Sequence, residues 1–200
     1  MTTSPPPQPV IAWNSTIEVA DEDLVERVLA GERAVFETLV TRHERGVYAL
    51  MMRMTRSRED AEDLTQEAFL KAFENLGSFR RGARFRPWLY RIASNAAVST
   101  LRKRKPQADF DPDWNADPAP GADDLIAEDE LRAVLAEAIE ALPAAARALV
   151  HLRYREEMEI AEIAEIVGKT PSAAKVALHR ARETLKALAG QRLDPRGGTR

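Results

Sequence analysis

The chain has 200 residues, a formal charge of −3 and no cysteine. That length suits one or two small domains, and the missing cysteines exclude disulfide frameworks and thiolate metal centres. His43, His151 and His179 are too scattered for a metal cluster, and no apolar run is long enough to span a membrane. Residues 1–9 lack the basic and apolar regions of a signal peptide. The chain is therefore expected to be cytoplasmic, with no membrane insertion.

The net charge conceals blocks. Residues 106–130 hold nine acidic side chains and no basic one, whereas residues 71–105 hold ten Lys or Arg against the single Glu74. A basic stretch of this kind is an electrostatic footprint for a polyanion, whatever the whole chain sums to.

In chain order, residues 1–17 open on a proline-rich segment and are expected to form a disordered arm. Residues 18–105 read as a first helical domain. Leu24, Val25, Val28 and Leu29, then Phe36, Leu39 and Val40, then Val47, Leu50, Met51 and Met54 recur at three- and four-residue spacing. Asp21 and Asp23 are expected to cap the first helix, and Gly31 to break it. The pattern predicts further helices over 58–76 and from about 87 to 104, with 77–86 as an exposed basic loop.

Residues 106–124 are rich in proline and aspartate and read as a flexible acidic linker that carries Trp114 as a large apolar group. Residues 125–189 form a second helical domain, broken near 142–143, 155–158 and 168–171, and 190–200 a disordered tail. The expected fold class is all-α: two small helical domains joined by the linker.

The C-terminal domain carries a helix-turn-helix pattern. A short amphipathic helix ends at Gly168, Thr170 can cap the next helix, and Pro171 suits its first position. The second helix of such a pair enters the major groove. Ala174, Leu178, Ala181 and Leu185 share the inward stripe. Lys175, Arg180 and Arg182 are candidates for phosphate contact, and Ser172, Ala173 and Val176 for base edges, with His179 beside them.

Two features of the N-terminal domain distinguish the chain from a simple DNA-binding regulator. On helix 58–76, Leu70 sits within a polar arc of Asp63, Gln66, Glu67 and Glu74, an apolar centre with a polar rim that suits a protein partner. After Pro87, one helix side presents Trp88, Arg91, Asn95 and Arg102, and the preceding loop adds Phe79, Arg80, Arg81, Arg84 and Phe85. Aromatics interleaved with arginines suit single-stranded DNA, because rings stack on bases while cations follow the backbone. A unit for opened DNA tethered to one for duplex DNA points to promoter opening.

These residues resemble the extracytoplasmic-function (ECF) subfamily of bacterial RNA polymerase sigma factors. Residues 57–73 (SREDAEDLTQEAFLKAF) are similar to the family's region-two helix that docks on the polymerase clamp. Residues 79–95 (FRRGARFRPWLYRIASN) resemble the segment that melts and reads the −10 element. Residues 141–143 and 160–182 resemble region four, which reads the −35 element.

The resemblance implies docking through Asp63, Gln66, Glu67, Leu70 and Glu74. It also implies a flipped-base site at loop 75–81, beginning with Asn75. Core polymerase (clamp and flap), promoter DNA as duplex and as melted strand, and an anti-sigma factor are the implied partners.

Residues 172–177 (SAAKVA) depart from the family's frequent Gly-Thr-Val-Lys-Ser-Arg, so Val176 and Ala177 stand where serine and arginine are common. Met158-Glu159 replaces a usual Leu-Ser and is expected to weaken the cap of the first reader helix. The acidic linker is expected to mimic nucleic-acid charge in the polymerase channel and to restrain free DNA binding.

The expected function is promoter-specific transcription initiation as a sigma subunit. The alternative is a helix-turn-helix regulator acting without that role. No paired carboxylates, nucleophile-His arrangement or phosphate-cradling loop marks an enzyme, and no cofactor is implied.

Overall fold

The computed structural model describes residues 19–104 and 128–193. The expectations for the N-terminal arm, the acidic linker, Trp114 and residues 194–200 lie outside the described residues.

Helix α1 (Asp21–Leu29) buries Leu24, Val25 and Val28. Ala20 occupies its cap position and no side chain caps it, so the expected Asp21 and Asp23 caps do not form. Asp21 instead turns toward the next helix, where Arg42 Nη1 donates to it at 2.9 Å and His43 Nε2 lies 2.6 Å away. Two partners on α2 outcompete a local bond to α1's own first turn.

After a turn at Gly31, α2 (Phe36–Thr55) lays Phe36, Leu39, Val47, Leu50, Met51 and Met54 along one buried stripe. It ends at Arg56 in the left-handed region. Ser57 then accepts a hydrogen bond from Asp60 N and caps α3 (Arg58–Glu74), as the helix-start rule requires. α3 stops before Leu76, which opens a short 3-10 turn (Leu76–Ser78).

α4 (Phe85–Arg104) starts two residues earlier than the proline suggested. Pro87 falls in its first turn, where no intrahelical donor is required.

The second unit comprises α5 (Glu128–Ala141), α6 (Ala144–Tyr154), α7 (Ile160–Val167) and α8 (Pro171–Leu193). The breaks fall where Pro143 and Gly168 predict them, but α8 continues past 189 into the expected tail. All eight helices pack without a strand among the described residues, in keeping with the all-α expectation.

The two units are not separate bodies. α6 packs against α2 and α7 against α4. Leu149, Leu152, Met158, Ile163, Ile166 and Leu178 join the same apolar cluster as the N-terminal core. Left to the C-terminal unit is a small cluster of Leu142, Ala146, Val150 and Ala181, edged by Leu185 and Leu188. A unit of this size buries little apolar surface by itself and gains by sharing a neighbour's.

Candidate nucleic-acid and polymerase interface

The inner face of α3 is fixed by Ala61, Leu64, Ala68, Phe69 and Ala72. Its outer face therefore presents Asp63, Gln66, Leu70 and Glu74 to solvent, with Glu67 half-buried and ion-paired to Lys71. Leu70 is 64% exposed, the most open of the large apolar side chains in the described residues. Phe73, one turn on, adds a partly exposed ring whose edge rests on Phe36 at 5.0 Å. The sequence reading missed Phe73, although its position three residues after Leu70 places it on the neighbouring helix surface.

Around the start of α4, Phe79, Phe85 and Trp88 form a mutual aromatic stack. Their centroids lie 5.4 Å apart for Phe79 and Trp88, 5.8 Å for Phe85 and Trp88, and 6.2 Å for Phe79 and Phe85. Phe85 is wholly buried and Phe79 nearly so. Neither ring is free to stack on a base, which corrects the expectation that both were exposed platforms. They are instead the floor beneath Trp88, which stays half-exposed, while Arg91, Asn95 and Arg102 follow it along the open side of α4.

Phe85 was legible as core. It precedes Leu89 by four residues and Ala93 by eight, and so shares their buried stripe.

A groove of about 500 Å³ runs between the end of α3 and α4, lined by Lys71, Asn75, Ser78, Trp88, Asn95 and Lys103 among others. Asn75 Nδ2 donates to Lys71 O at 2.7 Å, closing the end of α3. On the other side of Trp88 lie the cations. Arg80 is exposed, Arg81 pairs with Glu26 at 3.2 Å, and Arg84 Nη1 donates to Glu162 Oε1 at 2.7 Å. The structure thus gathers Asn75, Trp88, Arg91 and Asn95 about one helix, and Arg80, Arg81 and Arg84 onto its flank.

The helix-turn-helix forms as the sequence indicated, with one correction. The expected weak cap on α7 is a complete capping box. Glu159 occupies the cap position and its side chain accepts from the backbone three residues on, while Glu162 Oε2 accepts from Glu159 N at 2.8 Å. A glutamate makes the cap where serine is usual, because its carboxylate reaches the same donor.

Gly168 takes φ 66°, a conformation glycine adopts without strain. Thr170 Oγ1 accepts from Ala173 N at 3.2 Å, and Pro171 begins α8. Ala174, Leu178 and Ala181 are buried and Leu185 half-buried. Ser172, Lys175, Val176, His179 and Arg182 are exposed, with Ala173 and Arg180 half-buried. The outer face of α8 is therefore apolar at Val176 and cationic at Lys175 and Arg182.

At the junction of the units sits a polar cluster that the sequence did not reveal. Glu156, in the loop between α6 and α7, accepts from the Tyr90 hydroxyl at 2.7 Å and from Arg86. His151 Nε2 approaches it to 3.3 Å, outside hydrogen-bond alignment. Burial alone would raise the Glu156 pKa, but His151, Tyr90 and Arg86 together hold it down to about 2. The Tyr90 hydroxyl is driven up, first by burial and then by Glu156. Arg147 of α6, itself buried, donates through Nε to Arg53 O at 2.6 Å, at the last turn of α2.

Among the described residues no group of His, Asp or Glu is placed to hold a metal, and no helix is long and apolar enough to cross a membrane.

Comparison with known proteins agrees with this layout. Residues 39–107 match the Sigma-70 region 2 family and residues 132–185 match Sigma-70, region 4. The ECF RNA polymerase sigma factor SigW of Bacillus subtilis (strain 168) is 32% identical over 183 residues, spanning 85% of this chain and 97% of the relative. In fold, the chain resembles CnrH in its complex with the cytosolic domain of CnrY, with a TM-score of 0.64 at 24% identity over 88% of this chain and 99% of that one. It also resembles the sigma factor RpoE in complex with the anti-sigma factor NepR from Bartonella quintana, with a TM-score of 0.59 at 24% identity over 76% of this chain and 95% of that one. With that identity and coverage to SigW, the chain belongs to the ECF RNA polymerase sigma factors.

Proposed function

We propose that this sigma factor divides its task among three surfaces. The outward face of α3, centred on Leu70 and rimmed by Asp63, Gln66, Glu67 and Glu74, docks on core polymerase. α8 reads upstream duplex, with Lys175, Arg180 and Arg182 on phosphates and Ser172, Ala173, Val176 and His179 toward base edges. The half-exposed Trp88, with Asn75, Arg80, Arg81, Arg84, Arg91, Asn95 and Arg102, holds the opened −10 strand. Phe79 and Phe85 serve that surface from beneath, by fixing the indole.

The observation that carries this reading is a helix-turn-helix with exposed cations on its second helix and a separate aromatic, amide-lined and cationic groove on one chain. A regulator that only occupies duplex DNA has no use for the second. Holding a base outside the stack costs a few kcal/mol, which stacking on Trp88 and phosphate contacts offset. The chain makes and breaks no bond of its own, and polymerase supplies catalysis and metal. Its place of work is the cytoplasm. An anti-sigma antagonist fits the same scheme, since the RpoE relative is held by one.

In-vitro transcription with purified core polymerase over a genomic promoter pool tests the proposal. Promoter-specific initiation that requires both proteins is the expected result. Duplex binding without polymerase, and no initiation with it, would sink the reading.

A further inference from the structure

The outward direction of α8 is fixed by what the helix buries. Ala174, Leu178 and Ala181 are each at most 7% exposed and face the core. At about 100° per residue, Val176 lies roughly opposite the centre of that stripe. It is 46% exposed, and no other large apolar side chain of α8 is as open among the described residues.

An isolated exposed valine is commonplace on a protein surface, so its neighbours decide what it means. Ser172, Ala173 and Ala177, all within about one turn, are short, and Val176 stands above them. Lys175 and Arg182 are exposed along one edge of this face, and Arg180 is half-buried toward the other. A cationic frame around a short-chained centre lets the helix backbone come close to a groove walled by phosphates.

That window has an end. Glu183, two turns beyond Val176 on the same side, is a carboxylate held by Lys186 at 3.0 Å. A negative charge there is repelled by phosphate, so the stretch suited to a groove runs from Ser172 to Arg182. Val176 falls in its first half, near the helix start, where contacts to base edges concentrate.

The residue type narrows the partner. Its branched Cβ makes valine a poorer helix former than alanine, and at this open position no packing within the chain offsets that. The same branch leaves essentially one χ1 rotamer in a helix, so both methyl groups are held in a fixed direction. In the major groove only thymine offers an apolar group, its C5 methyl, whereas the edges of adenine, guanine and cytosine present donors and acceptors. Valine against those edges would strip water from polar atoms and return no hydrogen bond.

We propose that Val176 selects a T·A pair in the upstream element by packing its methyl groups on the thymine C5 methyl. The proposal rests on the assignment of α8 to upstream duplex given above.

The test removes that methyl and nothing else. In promoters recovered from the genomic pool, each thymine of the upstream element, on either strand, is replaced singly by deoxyuridine, which keeps every hydrogen-bonding group. Equilibrium binding is then measured with holoenzyme assembled from full-length protein and core polymerase. At one position the replacement is expected to weaken binding about fourfold, the worth of one buried methyl group. Val176→Ala keeps a good helix former and removes both side-chain methyl groups. It is expected to bind the thymine promoter at least fourfold more weakly, with an unchanged salt slope, and to lose nothing further when deoxyuridine stands at that position.

Recovered promoters that share no upstream T·A pair overturn the proposal. So does a parent holoenzyme indifferent to every deoxyuridine, or a deoxyuridine effect that persists undiminished in Val176→Ala. In those three cases the holoenzyme still binds promoters specifically, and the sigma assignment stands. If Lys175→Ala and Val176→Ala combined leave promoter binding unchanged, the assignment of α8 to duplex fails and takes the proposal with it.

Discussion

The N-terminal unit fills its core with bulky side chains: Leu39, Leu50, Met51, Phe85, Leu89 and Tyr90 are each at most 1% exposed. The C-terminal unit leans on alanine, with Ala138, Ala144, Ala146, Ala148, Ala174, Ala181 and Ala189 all buried. It borrows the rest of its apolar contact from its neighbour. The two proposed DNA surfaces differ in the opposite sense. α8 offers its exposed face to solvent, whereas the α4 surface is built on a rigid aromatic floor and is partly covered by α7. Robust packing and ready access are thus allotted to different units, and the less independent unit carries the more accessible of the two proposed DNA surfaces.

The largest expected effect tests the packing half of that contrast. Leu50→Ala leaves a hole in a fully buried site and should destabilise the protein by about 2–5 kcal/mol in urea denaturation. Leu188→Ala, at the edge of the small C-terminal cluster, should cost distinctly less. Equal losses would mean that the two cores are equally tight.

Next come the functional surfaces. Trp88→Ala should weaken promoter opening by about 1–3 kcal/mol, the worth of one stacked base, while retaining polymerase binding. Leu70→Asp should abolish stable polymerase binding in a pull-down assay and leave the free protein's DNA contacts intact. If the two variants lost polymerase to the same degree, the faces would be wrongly assigned.

A pH titration of interdomain fluorescence transfer addresses the junction. The depressed Glu156 pKa means that its ionised form favours the folded protein with its units in contact. That contribution is complete above the ordinary value of 4.5 and fades as pH falls toward about 2. Contact between the units should be level on the alkaline side of this window and decline within it. A decline beginning at higher pH would assign the junction's stability to another group. The smallest effect is at the open reader: Lys175→Ala should lower the salt slope of duplex binding by about one unit if it neutralises one phosphate.

Periodic features were legible in the sequence. The α2 stripe, the Gly168 turn and the Thr170 cap each depend on neighbours within one or two helical turns, so spacing predicts them. Contacts between units leave no such trace. Glu156 and Arg147 read as ordinary charged residues, because their partners lie 66 and 94 positions away. Phe85 was misplaced for a different reason: the basic loop beside it drew the reading toward solvent, although its spacing to Leu89 pointed inward. Gly46 was an overlooked signal, since a lone glycine inside a strong helical pattern usually admits something close, and a Cβ there would overlap the Tyr90 hydroxyl.

Arg147 adds one consequence for how binding events communicate. Reaching from α6, it donates to the main chain at the end of α2, and α2 passes within two residues into α3, the helix assigned to polymerase. Parting the units withdraws that guanidinium from the corner where α3 begins. By thermodynamic reciprocity, if polymerase favours the parted form by some factor, the parted form holds polymerase more tightly by that same factor. Promoter strand and polymerase would then strengthen each other's hold on this chain through one corner of backbone, without touching.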